Sequence, residues 1–520
     1  MGKDKQNIII LSIIYVILAI LLFKQSGNIM IDFSRESYIP YQMLKGEKLY
    51  SDIFLIYGPM GYFINMFLYK LKLNINILLI EANLIAYFCA ILFYLTLKKF
   101  TTKSIALITT IFFITVSIFS NSNFSFVVPY SYSTLWAVFA LYLILFSYLY
   151  KYEKIRYIAL GFLFTTKIEF FTLALIFSLF YDIYHKKMFF KNYALCLIFP
   201  IISLIGFNFN DFIKNYNYIS TMLHTNALSY LYKSMGSFFE IDYFLRNLIY
   251  LALYLTFGSI SYFIYKKNKF LSILILVLLF YFIYPNTILH LGFFGAICLT
   301  IINKNKIKKR DLILLYFAIL LCSKSIFAIN SLLYSNFGYS LLVFYIFRQL
   351  YLILNKKWVL NHFFLLIIML LTGQFFSYLS TQKFPIKTSV GTIYLSRNDY
   401  ILQNKINSFI KQNIKKDENF IVVPEGQIVN LIHKKPWKYY NSTFTPLDFE
   451  TFGEEKIINQ LKENKTDYII FYPRNTKEYG AQTICHDYGV DFCTYIMDNY
   501  KRVAIFENVQ KALVFKINEK

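Results

Sequence analysis

The densest run of potentially reactive side chains is Asp32-Phe33-Ser34-Arg35-Glu36-Ser37-Tyr38, followed by Gly46, Leu49-Tyr50, Asp52 and Tyr57-Gly58-Pro59. A carboxylate in such a run can accept the proton of an attacking hydroxyl. It can also hold a divalent cation that grips a phosphate, with Asp32 or Glu36 as the ligand. Arg35 offers a planar fork that binds phosphate through two parallel hydrogen bonds. Asp32 to Asp52 would serve equally as solvated loop charges, and spacing alone leaves both readings open. A second polar group, Thr165-Thr166-Lys167-Ile168-Glu169, interrupts the apolar stretch 157–184. Lys167 and Glu169 can act on a ligand or pair with each other at a helix break. His224 and His290 can each bind a phosphate or a cation, or serve as structural residues. No C-x-x-C, H-E-x-x-H, Walker or dinucleotide fingerprint is present.

The elements that must position these residues are apolar. The chain has 520 residues, of which 57% are hydrophobic and 16% charged. An ordinary soluble domain carries about 25% charged residues. The net charge of +24 suggests a nucleic-acid partner until it is located. Residues 381–520 hold 20 Lys/Arg and 16 Asp/Glu, so nearly all the excess lies in the first 380. It is concentrated in short connectors between apolar runs, such as Lys98-Lys99, Lys186-Lys187, Lys266-Lys267 and Lys304 to Arg310. Basic connectors of this kind mark the cytoplasmic side of a membrane protein. No nucleic-acid partner is expected.

The apolar runs are 8–23, 76–97, 104–120, 134–150, 157–166, 168–184, 193–207, 246–265, 270–285, 287–302, 311–329, 337–354 and 361–380. Several approach the roughly 20 residues that cross the hydrocarbon. One span over 157–184 would bury Lys167 and Glu169 near the bilayer centre, at about 2.5–3.5 kcal/mol each. Two short limbs of a hairpin would carry them to the far face. That arrangement also places every basic cluster inside. The expected fold is therefore a polytopic α-helical membrane protein of about 13 spans, with its N-terminus cytoplasmic. The first span has no A-x-A-like cleavage site and is expected to be retained. Nine acidic residues fall outside: Asp32, Glu36, Glu47, Asp52, Glu81, Glu169, Asp211, Glu240 and Asp242.

Residues 1–380 thus form a membrane domain with two long outer loops, 24–75 and 208–245. The first loop contains Pro59 to Tyr69, read as an amphipathic helix opened by proline and lying along the outer interface. Residues 381–520 read as an extracytoplasmic α/β domain, with helices at 399–413, 425–433 and 454–464. Its strands are Phe420–Val423, Tyr468–Tyr472, Val503–Phe506 and Ala512–Lys516. There, Pro424-Glu425-Gly426 can present backbone N–H groups to an anion or be plain turn chemistry. Trp437, Tyr439 and Tyr440 can stack on a saccharide or simply pack. Cys485 and Cys493 lie outside and can pair in an oxidising compartment or remain separate along one helix. Within spans, Arg348 is expected to snorkel toward the cytoplasmic side.

The arrangement resembles the GT-C superfamily of membrane glycosyltransferases, of the dolichyl-phosphate-mannose-protein mannosyltransferase and aminoarabinose transferase kind. The matching elements are Asp32 after one span, Gly46 to Tyr50, the Tyr57-Gly58-Pro59 turn, the hairpin with Lys167 and Glu169, and the outer C-terminal domain. Many members have adjacent acidic residues at the aspartate position; here Glu36 follows Asp32 by four residues. The resemblance implies an inverting transfer of a sugar from a polyprenyl-phosphate carrier, among membrane lipids, to a glycan, lipid or protein acceptor. Asp32 would be the base, with Glu36 sharing the role. Lys167, with Arg35 and Arg246 behind it, would bind the donor phosphate. Asp52, Tyr57, Glu169, His224 and His290 would contact substrate. The expected location is a bacterial inner membrane. Alternatives in keeping with the sequence are a transporter or flippase of lipid-linked saccharide and an O-antigen-type polymerase or ligase.

Overall fold

The computed structural model describes residues 3–22, 29–120, 125–185, 190–204, 206–234, 241–282, 285–323, 337–380, 383–507 and 511–518. Helices fill nearly all of the first 380 residues. Among the described residues, five are long and apolar enough to cross a membrane: Asp4–Leu22, Ile75–Leu97, Tyr132–Tyr150, Leu248–Tyr265 and Lys356–Tyr378. The bent pair Ala194–Leu204 and Phe209–Leu223, turning by 96°, would make a sixth. The other apolar runs form shorter or interrupted helices, so 13 full spans are not established. Lys103–Phe112, for instance, passes into a wide turn at Phe113–Ile118, and Lys309–Cys322 spans 14 residues. The lipid-facing role is plain on the first helix, where Ile13, Ile17 and Ile20 are each at least half exposed. A bare apolar face of that length belongs in hydrocarbon rather than in water.

The stretch 157–184 divides as its charges require. Glu153–Phe164 ends at Thr165, and Ile168–Tyr184 starts after Lys167. The ends of these limbs away from Lys167 are clamped by Arg156 and Asp182, 2.7 Å apart. Arg348 does not snorkel. It pairs with Asp311 at 2.7 Å and donates to the Phe100 carbonyl at 2.5 Å, because a buried carboxylate is within its reach.

From residue 29 on, the first long segment is more regular than a loop. It holds the helix Asp32–Leu44, which keeps Pro40 inside it, and the helix Met60–Leu71 behind Pro59. The second helix presents Met60, Gly61, Tyr62, Asn65 and Tyr69 to the protein interior, and Phe67 and Leu71 outward. The 208–245 segment likewise contains Phe209–Leu223 and Asn226–Ser234.

The C-terminal region carries two sheets. Strands β1 (Phe384–Thr388) and β2 (Gly391–Leu395) form an antiparallel hairpin. Strands β3 (Phe420–Val423), β4 (Tyr468–Phe471), β5 (Tyr500–Glu507) and β6 (Lys511–Ile517) form a second sheet in the order β3-β4-β6-β5. The β3–β4 pair is parallel and the other two pairs are antiparallel. Every residue of β3 is buried, as a strand covered on both faces must be. Helices Arg397–Asn413, Gln427–His433, Pro446–Phe452, Glu454–Glu463 and Val490–Asn499 surround it. Cys485 and Cys493 are disulfide-bonded.

Candidate functional site

Asp32, Arg35 and Glu36 sit at i, i+3 and i+4 of one helix, so they share one face. Arg35 lies between the two carboxylates, with Nη2 3.7 Å from Asp32 Oδ1 and Nε 3.5 Å from Glu36 Oε1. The carboxylates differ in what else they touch. Glu36 is fully buried; it accepts from the Tyr62 hydroxyl at 2.5 Å and from the Tyr132 backbone N–H at 2.8 Å. Each of its oxygens is thus engaged, and the contacts tie its helix to Tyr62 and Tyr132. Among the described residues, Asp32 makes the 3.7 Å contact alone as a side-chain ion pair, and its side chain remains 38% accessible. Protein nevertheless surrounds it. Desolvation pushes its pKa up to about 6, with Glu425 and Glu36 adding to the rise and Arg35 and Arg474 opposing it. The guanidinium fills the gap where a bridging cation would sit. Among the described residues no three His, Cys, Asp or Glu side chains are grouped to hold a metal. The donor set does not fit a metal shared by Asp32 and Glu36.

The second cation arrives through backbone stitching. Gly58 N–H donates to the Thr166 carbonyl at 3.0 Å, and Met60 N–H to the Thr165 carbonyl at 3.1 Å. The approach is close enough that a Cβ on Gly58 would lie 2.3 Å from the Thr165 oxygen, so only glycine fits. Ser133 Oγ fastens the same turn by donating to the Gly58 carbonyl at 3.0 Å. This contact delivers Lys167, which is 3% exposed, onto the Tyr57 ring. Its Nζ stands 3.7 Å from the ring centroid and 3.5 Å from Glu169 Oε1. Arg35 addresses the same ring at 5.8 Å, so the two cations lie no farther apart than the sum of these distances. Tyr130, buried next to the following helix, feels the fields of Glu169, Asp32 and Glu36 together. Asp32, Arg35, Tyr57, Lys167 and Glu169 are thus gathered in one place.

The C-terminal region closes the group; the sequence marked its Pro424-Glu425-Gly426 turn but not the docking onto Asp32–Leu44 or the part of Arg474. Its helix Gln427–His433 docks along Asp32–Leu44: Ile428 N–H donates to Ser34 Oγ at 2.6 Å, and Tyr38 donates to the Lys435 carbonyl at 2.8 Å. The backbone N–H offered after Pro424-Glu425-Gly426 is therefore taken up in docking. Docking brings Glu425 and Arg474, paired at 2.5 Å, within electrostatic reach of Asp32. Arg474 also holds Glu478 at 2.5 Å, and burial with nearby Glu425, Glu478 and Asp32 raises the pKa of Tyr479. Gln427 is buried beside them with neither amide atom partnered. The helix Asn226–Ser234 borders this wall, with Ser234 Oγ donating to the Glu478 carbonyl at 3.0 Å.

Other expected residues fall elsewhere. Asp52 is exposed and accepts from the Lys48 N–H at 2.8 Å, on a separate cleft; nearness in sequence to Asp32 did not carry it to the same place. His224 is exposed at the end of Phe209–Leu223 and does not join the Asp32 group. The side chains of Arg246 and His290 lie outside the described residues, although both positions are helical. Trp437 is fully buried and donates to the Asn441 carbonyl at 2.9 Å, so it packs rather than stacks on a ligand. Tyr439 is buried as well, and Tyr440 is half-buried.

No family model matches the sequence, and no curated protein matches it. Among solved structures the chain is similar in overall path to GT-C glycosyltransferases, the superfamily its Asp32 segment resembles. One is the oligosaccharyltransferase of Archaeoglobus fulgidus in its apo form, with TM-score 0.47 and 12% identity over 90% of this chain and 69% of that one. Another is ArnT from Cupriavidus metallidurans bound to undecaprenyl phosphate, with TM-score 0.47 and 10% identity over 98% and 97%. A third is the Archaeoglobus fulgidus oligosaccharyltransferase tethered to an acceptor peptide containing the NVT sequon, with TM-score 0.46 and 11% identity over 99% and 74%. At these scores and identities the likeness describes a general chain path and assigns no residue a role.

Proposed function

We propose that the chain is an integral membrane glycosyltransferase that moves a sugar from a polyprenyl-phosphate carrier to an acceptor hydroxyl on the non-cytoplasmic face. The observation that carries this reading is the pairing of one accessible carboxylate of raised pKa, Asp32, with two cations, Arg35 and Lys167, grouped around Tyr57. A carboxylate with pKa about 6 is ionised at neutral pH yet basic enough to take a proton. As the acceptor oxygen bonds to the anomeric carbon, its proton passes to Asp32. The bond from that carbon to the phosphate oxygen breaks, and the lipid phosphate leaves with the electron pair. Attack opposite the leaving group inverts the centre. Charge grows on the phosphate during this step, and fixed cations aimed at it stabilise the transition state. In this reading Lys167 and Arg35 supply those cations; the contacts of Lys167 with Tyr57 and Glu169 support it.

The reading is tested by incubating the detergent-purified protein with a panel of polyprenyl-phosphate sugars, with and without a chelator. Release of polyprenyl phosphate with at least one sugar, insensitive to the chelator, is expected. Failure to consume any donor in the panel counts against it.

A further inference from the structure

A second cavity lies away from the Asp32 group. It is a cleft of about 440 Å³ where the first outer segment, the helix Phe209–Leu223 and the C-terminal region meet. Lys214, Lys438 and Lys456 line it, with Tyr440, Gln460 and Asp52. Lys456 is engaged: it donates to the Tyr218 hydroxyl and stands 4.1 Å from that ring's centroid. Lys214 and Lys438 are exposed, and their ammonium groups have no hydrogen-bond or ion-pair partner among the described residues. Gln460 accepts from the Tyr440 N–H at 2.9 Å through its oxygen, while its Nε2 is a buried donor left without an acceptor.

Two acids, Glu47 and Asp52, share the lining with the three lysines, which leaves one lysine in excess. Glu47, also at the rim, accepts from Gln42 Nε2 at 2.7 Å, and burial raises its pKa to about 7. Asp52 takes the Lys48 N–H. The cleft thus combines a cationic excess, one half-buried aromatic ring, an orphan amide donor and a carboxylate acceptor. A cationic excess selects an anion, and an aromatic ring beside amide and carboxylate groups suits the apolar and hydroxylated faces of a sugar. Gln42 lies ten residues beyond Asp32 on one helix. At ~1.5 Å per residue Gln42, which holds Glu47 at the cleft rim, is about 15 Å along the helix from Asp32, so the cleft is remote from the reacting sugar.

We propose that this cleft binds an acidic saccharide, one bearing carboxylate or phosphate groups, as the remote part of the acceptor glycan. The proposal rests on the glycosyltransferase reading for the word acceptor, but the binding itself does not depend on catalysis. Binding energy gathered at such a distance positions the reacting hydroxyl.

The test is calorimetry on the full detergent-purified chain with trigalacturonic acid, with maltotriose as the neutral control and phosphatidylglycerol as competitor. Trigalacturonic acid is expected to bind, to weaken with added salt, and to outbind maltotriose. The double variant Lys214→Ala/Lys438→Ala, at two exposed positions, is expected to bind at least about tenfold more weakly, as loss of a charge-assisted contact implies. Asp32→Asn should bind like the unaltered protein. That result separates this proposal from the catalytic one, since the variant can be inactive and still occupy the cleft. Four results would overturn the proposal: no binding of trigalacturonic acid, equal binding of maltotriose, an affinity unchanged in the double variant, or displacement by phosphatidylglycerol. The last would make the cleft a lipid-headgroup site.

Discussion

Two ion pairs lie at opposite ends of the 153–184 hairpin, one buried and one accessible, and they are built to different rules. At the end away from Lys167, Asp182 accepts from Arg156 at 2.7 and 2.9 Å, from Tyr157 at 2.6 Å and from Tyr193 at 3.0 Å. Its side chain is 2% exposed and that of Arg156 4%. Both carboxylate oxygens accept, and three tyrosine rings face the guanidinium, whose Nε is left without a partner among the described residues. At the Lys167 end, Asp32 has one loose ion-pair contact, with Arg35, among the described residues, and an accessible side chain. Lys167 faces an aromatic ring and a half-exposed carboxylate. A pair closed off by its neighbours, with both side chains almost wholly buried, fixes helices and presents no surface to a ligand. An unsaturated carboxylate held among cations keeps capacity for one. Burial of charge alone does not mark a functional site; unspent hydrogen-bonding capacity beside an accessible surface does.

That contrast can be broken in several ways. Asp32→Asn should lower the transfer rate by about 10²–10⁴-fold, the usual worth of a positioned base, with the melting temperature near that of the unaltered protein. Arg156→Met should do the reverse. It leaves Asp182 buried without its cation, which costs about 3–5 kcal/mol of stability, while transfer per folded molecule stays the same. Thermal unfolding in detergent, read beside activity, checks both. Lys167→Gln should cost about 10²–10³-fold in turnover, comparable to removing one donor from an oxyanion site, with little change in stability.

The pH profile sharpens the same comparison. Asp32 must be ionised to accept a proton, so transfer should rise with pH through about 6 and level off above it. Protonation below that point removes the base, and activity should fall about tenfold per pH unit. Arg474→Met gives the smallest expected effect. The arginine lowers the Asp32 pKa and neutralises Glu425 and Glu478, so its loss should move the midpoint of the profile upward. An unmoved midpoint would detach the C-terminal region from the site.

What could be read from the sequence follows from range. The break at Thr165 to Lys167 was legible because two charges inside an apolar stretch are costly at any position within the bilayer. The shared face of Asp32, Arg35 and Glu36 follows from helical spacing once the helix is granted. Which carboxylate stays available was not legible, because Glu36 is committed by Tyr62 and Tyr132, far along the chain. Glu425 and Arg474 were missed for the same reason: docking of Gln427–His433 onto Asp32–Leu44 joins segments almost 400 residues apart. Asp52 was misplaced by the opposite error, nearness in sequence taken for nearness in space. In the outer region, strands β3, β4 and β6 read well because their buried faces are continuous. The β1–β2 hairpin was hidden by Pro385, which argues against a strand except at an edge. The start of β5 was hidden by exposed Lys501 and Arg502, as befits the edge of its sheet.

The most direct test compares Asp32→Asn with Arg156→Met in one assay. Single-turnover transfer from a polyprenyl-phosphate sugar is measured per folded molecule, at a pH above the midpoint. The account predicts near-complete loss for Asp32→Asn with an unaltered melting curve, and normal transfer with a lowered melting temperature for Arg156→Met. Transfer by Asp32→Asn at the rate of the unaltered protein would contradict it.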